Sequence, residues 1–233
     1  MTENLEAYLK PTAIIDSDDP GIRAKAKKLA AGAADEKEVL GRIYYFVRDF
    51  PYDILAAFGY LAEGKRGASD VLREGKAFCM GKASLFAALC RASGIPARIG
   101  FQQVHCPDKP FMNEEVARIW GDRKLPWHSL GEAHLNGKWL KLDATIDKDY
   151  AAAKGRTYSR EYDGENDIPT VEGPVIKQLQ SHADYPAEVA DWYGEMAKEV
   201  IRAVEEDRIS QEVFTDEEMA GPEADKVSAP ASG

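Results

Sequence analysis

Apolar residues recur every three or four positions through the first part of the chain, which is the spacing of helices that bury one face. The clearest case follows Asp35, whose side chain can cap a helix start together with Glu38 three residues later. The apolar stripe of that helix is Val39, Ile43, Phe46 and Val47. An earlier helix is predicted between Asp19-Pro20 and Gly32, because an N-cap before proline and a closing glycine mark its ends.

A further helix is predicted from about Cys79 to Ala92, ended by Gly94-Ile95-Pro96 and with an apolar face formed by Leu85, Phe86, Leu89 and Ala92. Ser69 is predicted to cap a short turn that ends at Gly75 and precedes this helix. Cys79 then lies in the first helical turn, where free N–H groups and the positive end of the helix dipole favour a thiolate. The alternative, that Cys79 is an inert packing residue, stays open.

Beyond the glycine-proline stop the period changes to the alternation of strands. ARIGFQQVHC predicts one strand, and WHSLGEAHL and KWLKLDAT predict two more, joined by Asn136-Gly137 as a tight hairpin turn. Residues 107–126 are irregular, and 150–183 predict ordered loop laid over the core. YPAEVADWYGEMAKEVIRAVEEDRI predicts a closing amphipathic helix. We therefore expect one α+β domain over residues 1–214, with a core at about 35–147, the loop and helix of 150–210 packed on it, and a disordered acidic tail at 215–233.

Composition narrows the class of protein. The chain has 233 residues, 44% of them hydrophobic, so a core of ordinary size needs neither disulfides nor metal. The net charge of −10 argues against nucleic acid or an anionic membrane as partner. Three cysteines, an odd number, predict reduced thiols and a cytoplasmic location. Neither a signal peptide nor a membrane-spanning run is recognisable, and no cofactor motif is found.

The hairpin turn fixes which side chains face one another. If Leu135 pairs with Lys138, then Glu132 faces Lys141, and His128, Leu130, Glu132 and Asp143 project from one face. His128 and Asp143 become diagonal neighbours roughly 7–8 Å apart at the backbone, a gap that an imidazole and a carboxylate can bridge. Such a carboxylate holds the ring while the other ring nitrogen exchanges a proton with a thiol. An exposed histidine on a polar sheet face is the open alternative.

The remaining polar residues of this region have simpler interpretations. Glu132 with Lys141 predicts an ordinary cross-strand charge pair, and His134 facing Trp139 predicts packing. Cys90 lies among alanine and leucine in mid-helix and is assigned to packing. Cys106, at a strand end, is assigned a structural role.

Three segments together resemble the transglutaminase-like superfamily over roughly residues 35–147. GKAFCMGKASLFAALCRASGIPAR is similar to its nucleophile segment, WHSLGEAHLNGKWLKLDAT to its hairpin, and YYFVRDFPY to the helix and tyrosine that precede the nucleophile. The resemblance implies a papain-like transglutaminase-core fold, with the cysteine helix packed on an antiparallel sheet. It implies Cys79 as nucleophile, His128 as general base and acid, and Asp143 as the orienting carboxylate. Leu130 and Ala144 depart from the family pattern, which commonly has an aromatic residue and a proline there.

The chemistry implied by this resemblance is attack on an amide carbonyl to give a thioester, whose acyl group passes to water or to an amine. We expect hydrolysis of a peptide, protein or small amide; transfer to an amine acceptor is the alternative. A catalytically silent binding module is a third hypothesis. A metal site is not favoured, because CxxC and HxxxH spacings are absent. The Cys79 N–H is one expected oxyanion donor, because it lies at the helix start. The hydroxyl of Tyr52 is a candidate for the side-chain donor, with Gln102 and Gln103 as alternatives, and the interpretation of Tyr52 as a buried aromatic residue with a solvated hydroxyl stays open. Substrate identity and oligomeric state are not specified by the sequence.

Overall fold

The computed structural model describes residues 4–104, 115, 118–119, 128–153, 161–170 and 174–210. A short 3₁₀-helix, Leu5–Tyr8, comes first. Five helices follow: α1 (Pro20–Ala30), α2 (Glu36–Arg48), α3 (Ile54–Ala62), α4 (Ala68–Glu74) and α5 (Cys79–Ala92). The later elements are β1 (Ala97–Val104), β2 (His128–Leu135), β3 (Lys138–Leu142), α6 (Lys148–Ala153), β4 (Val175–Gln178) and α7 (Ala187–Glu205). The predicted α+β class is confirmed.

Local capping chemistry sets the helix starts, as the sequence predicts. The carboxylate of Asp19 accepts hydrogen bonds from the N–H groups of Gly21 and Ile22 at 2.7 and 3.2 Å. Asp35 accepts from the Glu38 N–H at 2.8 Å, so α2 begins where the capping pattern places it. The returning bond differs from the prediction, because the Glu38 carboxylate accepts from Ala34, one residue before the cap.

One helix cap differs from the prediction, and one helix was not predicted. Ser69 does not cap α4, whose N-cap is Gly67; the Asp70 carboxylate accepts from the Gly67 N–H at 3.0 Å and supplies the capping contact. Helix α3 is missed altogether, because its sequence ILAAFGYLA is apolar almost throughout and shows no polar face. Asp53 caps this helix by accepting from the Ala56 N–H at 2.9 Å.

The four strands form one antiparallel sheet in the order β3-β2-β1-β4. The predicted hairpin register is confirmed, with Leu135 opposite Lys138. Asn136 and Gly137 have φ values of 50° and 81°, the left-handed conformation that a two-residue hairpin turn requires. Strand β3 ends at Leu142, before the predicted DAT extension. The region predicted as loop, 150–183, contains the end of α6 and all of strand β4, which pairs with β1.

Helix α5 lies at the centre of the molecule, in contact with α1, α2 and α4 and with strands β1 and β2. All of its residues except Ala92 are buried. The helix is therefore buried on all sides, and not only on the predicted apolar face. The ring of Phe86 lies directly on β2: a Cβ added at Gly131 would be 2.1 Å from its Cδ1. Only glycine allows this approach, and the sheet therefore holds the cysteine helix at close range.

Several predictions fall on residues that the structure does not describe. Cys106, most of the irregular segment 107–126 and the acidic tail 215–233 lie outside the described residues. The division into one domain and a tail accordingly stays a prediction. Among the helices of the described residues, none combines the length and apolarity that a membrane crossing requires.

Candidate active site

The hairpin brings His128 and Asp143 together. His128 is the first residue of β2 and Asp143 directly follows β3, and both side chains are buried. Nε2 of His128 lies 2.6 Å from Oδ2 of Asp143. The hydrogen bond follows from the turn, because the register set at Asn136-Gly137 puts the two side chains on one face as diagonal neighbours.

The surroundings of Asp143 keep its carboxylate ionised. Burial acts to raise the pKa of Asp143, but the His128 ring and hydrogen bonds from Thr145 outweigh burial, so that this pKa lies below its ordinary value. Oδ1 accepts the Thr145 N–H at 2.9 Å, and the Asp143 N–H donates to the carbonyl of Ile168 at 3.0 Å. An ionised carboxylate only accepts, so Nε2 of His128 carries the proton and Nδ1 is the basic nitrogen of the ring.

Cys79 opens helix α5, where its backbone is suited to an anionic group. Its thiol is not in a disulfide, and the residue is only 5% exposed. The preceding N-cap residue is Phe78, which has no side-chain acceptor for the N–H groups of the first turn. Those N–H groups are not satisfied within the helix, so they can receive an oxyanion or an acyl oxygen.

The first turns of α5 share neighbours with the His128 end of the sheet. Lys82 and Ala83, one turn after Cys79, line a small space together with Leu130, Gly131, Ala144 and Thr145. The hydroxyl of Tyr185 donates to the Met80 carbonyl at 3.1 Å and lies close to Ser129, the residue after His128. These contacts place the start of α5 next to the histidine-aspartate pair.

Tyr52 lies beside the chain that leads into Cys79. It forms a parallel bridge with Ala77, where the Asp53 N–H donates to the Ala77 carbonyl and the Ala77 N–H donates to Pro51, each at 3.0 Å. The Tyr52 ring packs against the ring of Tyr150, with centroids 4.8 Å apart. Tyr52, the candidate oxyanion donor, is therefore paired with a residue two positions before Cys79.

The two alternative donors lie on β1. Gln102 is directly opposite His128, and its amide nitrogen donates to the side chain of Gln178 at 3.0 Å. Gln103 is opposite Lys177 of β4. One N–H of the Gln102 amide is therefore used to join β1 to β4.

Three buried polar residues at this site were not singled out from the sequence. Lys82 donates to the carbonyls of Arg48 and Phe50, at 2.9 and 2.6 Å, and Asp147 accepts from the Tyr52 N–H at 2.7 Å. Burial raises the pKa of Tyr185 well above its ordinary value, as does nearby Cys79, while the hydroxyls of Ser129 and Ser84 act in the opposite direction. The sequence did hold one signal, since a lysine inside the apolar run of α5 has no exposed face to occupy.

The other polar residues of this region are settled by their partners. His134 packs edge-on against Trp139 at 5.3 Å, as predicted. Cys90 is fully buried, and burial raises the pKa of its thiol, which fits its assignment to packing. The predicted Glu132–Lys141 pair is wrong: Glu132 lies opposite Lys141 on β3 and opposite Arg98 on β1, and its carboxylate accepts from Arg98 at 2.7 Å. A guanidinium suits a buried ion pair better than an ammonium does.

Within the part of the chain that the structure describes, no cluster of three or more His, Cys, Asp or Glu side chains could hold a metal ion.

The family model of the transglutaminase-like superfamily matches residues 23–144, more than half of the chain. Among solved structures, a candidate cysteine protease from Cytophaga hutchinsonii is 22% identical, with a TM-score of 0.47. The match covers 62% of this chain and 43% of that one, so the chain spans less than half of that protein. No curated protein matches the chain.

Proposed function

The chain belongs to the transglutaminase-like superfamily, and on that premise we propose that it is a cysteine enzyme that hydrolyses an amide bond through a thioester. The observation that carries the proposal is the buried 2.6 Å contact between His128 and Asp143 beside the start of the cysteine helix. A buried histidine held by an ionised carboxylate is the arrangement that prepares a base for a nearby nucleophile.

In the proposed reaction the Cys79 thiol gives its proton to Nδ1 of His128 as the sulfur attacks the amide carbonyl carbon. The tetrahedral intermediate collapses when the imidazolium returns that proton to the leaving amine, and the acyl group remains on the sulfur as a thioester. A water molecule then loses a proton to Nδ1 and attacks the thioester. Release of the acid regenerates the thiol. Asp143 stays ionised throughout and stabilises the imidazolium.

Two donors are proposed for the oxyanion of the tetrahedral intermediate. The backbone N–H of Cys79 is directed by the helix start, and the Tyr52 hydroxyl comes from the segment bridged to Ala77. Donors fixed before the reaction stabilise the developing charge without reorganising, which is why such groups contribute strongly to the rate.

Alkylation tests the nucleophile without knowledge of the substrate. We expect iodoacetamide to modify Cys79 of the native protein much faster than Cys90, with the sites separated by peptide mass spectrometry. Asp143→Asn should slow the reaction at Cys79 while leaving Cys90 unchanged, because only Cys79 depends on the histidine. Equal rates at Cys79 and Cys90 would contradict an activated thiol.

A second assay identifies the acceptor of the acyl group. A glutamine-containing peptide is incubated with the protein, with and without a fluorescent primary amine, and the products are identified by mass. Hydrolysis predicts ammonia release or peptide cleavage that the amine does not alter; incorporation of the amine would establish transfer instead. Cys79→Ala should abolish either reaction with little change in Tm.

Because a reducing compartment keeps this thiol available, we also propose a cytoplasmic location, which cell fractionation would test.

A further inference from the structure

Two buried charged side chains hold the segment that carries Tyr52, from opposite sides. Lys82 of α5 donates to the carbonyls of Arg48 and Phe50, and Asp147 accepts from the Tyr52 N–H. The two side chains belong to residues that are only 1% and 6% exposed. We propose that Lys82 and Asp147 form a clamp on residues 48–52 that positions the Tyr52 hydroxyl for the oxyanion, so both are positioning residues of the proposed reaction.

Few contacts other than those of the clamp hold residues 48–52 in place. Residues 48–52 connect α2 to α3 and have no ladder of their own apart from the bridge at Ala77. The clamp supplies three hydrogen bonds within five residues, two on carbonyls and one on an N–H. These bonds fix the backbone before and after Pro51. The position of the Tyr52 hydroxyl then depends mainly on the side-chain torsions of Tyr52 itself.

The second support is where the two clamp residues come from. Lys82 lies one helical turn after Cys79, and Asp147 lies four residues after Asp143. Burial lowers the pKa of Lys82, and the charges of Asp147 and Asp143 act to raise it. The clamp therefore connects the nucleophile helix and the loop of the orienting carboxylate to a third segment, the one that carries the proposed oxyanion donor.

Asp147 also fixes the surface on which the Tyr52 ring rests. Its other oxygen accepts the Tyr150 N–H at 2.8 Å and caps helix α6, and the Tyr150 ring packs on Tyr52. One carboxylate thus orients both the backbone of Tyr52 and its aromatic neighbour.

The experiment is a double-mutant cycle between Asp147 and Tyr52, measured on whichever peptide or amide the wild-type protein turns over in a Cys79-dependent manner. We expect Tyr52→Phe to lower kcat about 100-fold and Asp147→Ala about tenfold, each with little change in KM. In the Tyr52→Phe background, Asp147→Ala should lower kcat less than about twofold, because the hydroxyl it positions is already gone. Independent, multiplying losses would overturn the proposal.

The matched control is Asp35→Ala, which also removes a helix-capping aspartate, one that accepts the Glu38 N–H and lies at the start of α2. We expect a similar capping loss of stability with kcat unchanged. Lys82→Met tests the other side of the clamp and should show the same non-additivity with Tyr52→Phe. If that variant does not fold, because two buried carbonyls lose their donor, the Asp147 cycle still decides the question.

Amide hydrogen exchange separates this inference from the proposed function on which it rests. Asp147→Ala should increase exchange in peptides covering residues 49–53 while peptides from α2 keep wild-type protection. Increased exchange in a protein without Cys79-dependent turnover would retain the clamp as a backbone contact but overturn its role for Tyr52. Cys79-dependent turnover with unchanged exchange and unchanged kcat in Asp147→Ala would overturn the clamp and leave the proposed function standing.

Discussion

Strand β2 carries two buried pairs of an acidic and a basic side chain, and the two pairs differ in their neighbouring residues. At its first residue, His128 contacts Asp143, next to the start of α5. Four residues on, the Glu132 carboxylate accepts from Arg98 at 2.7 Å and from Ser181 at 2.9 Å. Both sites obey the same alternation along the strand, so buried charge by itself does not distinguish a candidate catalytic pair from a structural one.

The partners make the difference. The guanidinium of Arg98 lies 3.9 Å from the centroid of the Trp139 ring, and Glu132 already accepts from two side chains. That site is closed upon itself and ties β1, β2 and the segment at Ser181 together. At the other end, the Asp143 carboxylate contacts Nε2 of His128 and accepts the Thr145 N–H, close to the first turns of α5. A buried acid-base pair is therefore a candidate for catalysis only where a possible nucleophile lies beside it.

The largest expected effect comes from Asp143→Asn. Removing the acceptor charge favours the wrong ring tautomer of His128, and we expect kcat to fall by about 10³ to 10⁴ while Tm changes by only a few degrees. Steady-state kinetics and thermal melting measure the two. Full activity in this variant would place the catalytic base elsewhere and erase the distinction between the two ends of β2.

Glu132→Gln should have the reverse profile. Loss of the carboxylate leaves the largely buried Arg98 without its counter-charge, so we expect roughly 2–4 kcal/mol lower stability, measured by urea unfolding. The kcat of the remaining folded protein should not change. A loss of kcat without a loss of stability would instead assign Glu132 to the reaction.

A matched pair of glycine substitutions sharpens the comparison at the level of packing. A Cβ at Gly131 would meet the Phe86 ring and separate α5 from β2, whereas a Cβ at Gly100 would lie 2.6 Å from Oε1 of Glu132. Each should cost roughly 1–3 kcal/mol by overpacking. Only Gly131→Ala should also lower kcat, and the smaller side chain in Gly131→Ala/Phe86→Leu should restore part of it. Equal kcat in both glycine variants would show that the closeness of α5 to β2 is not critical.

The smallest effect is a dependence of stability on pH that originates at Lys82. Burial lowers the pKa of Lys82 to about 7, and the nearby Arg48 lowers it further. The negative charges of Asp147, Asp143 and Asp49 act to raise it but do not outweigh burial. Between pH 7 and the ordinary lysine value, the unfolded chain binds a proton that the folded chain does not, so the free energy of unfolding rises with pH through this window.

Lys82→Met removes that difference. The stability of the wild type minus that of Lys82→Met should therefore rise from pH 7 to pH 9, by at most about 1.4 kcal/mol per pH unit. Urea unfolding of both proteins across this range measures the slope. A constant difference would mean that the buried ammonium stays protonated. Glu132→Gln, measured over the same pH range, serves as a control at a different buried charge.

Much of the fold and of the candidate site could be predicted from local pattern. The bounds of α5 follow from Cys79 at a helix start and the Gly94-to-Pro96 stop, and the structure has them at Cys79–Ala92. The contact of His128 with Asp143 follows from a two-residue turn and the period of two along a strand. Such features depend on neighbours in sequence, where spacing leaves few alternatives.

The missed elements share the opposite property. Helix α3 has no polar face to give it a period, and β4 becomes a strand only by pairing with the distant β1. Glu132 lies between Lys141 of β3 and Arg98 of β1, and it pairs with Arg98, a residue 34 positions away whose strand only the sheet order brings beside β2. Pairing across long separations in sequence depends on burial, which a local pattern does not encode.

By itself, the sequence determined the cysteine at a helix start, the histidine and aspartate on one hairpin face, and the family resemblance that joins them. The tertiary structure decided which helix face met the sheet, that Gly131 lets Phe86 reach β2, and that Lys82 and Asp147 hold the Tyr52 segment. The physical reason is range: turns and helix starts are set by dihedral angles and hydrogen bonds over a few residues, whereas buried charges take partners that only folding brings within reach.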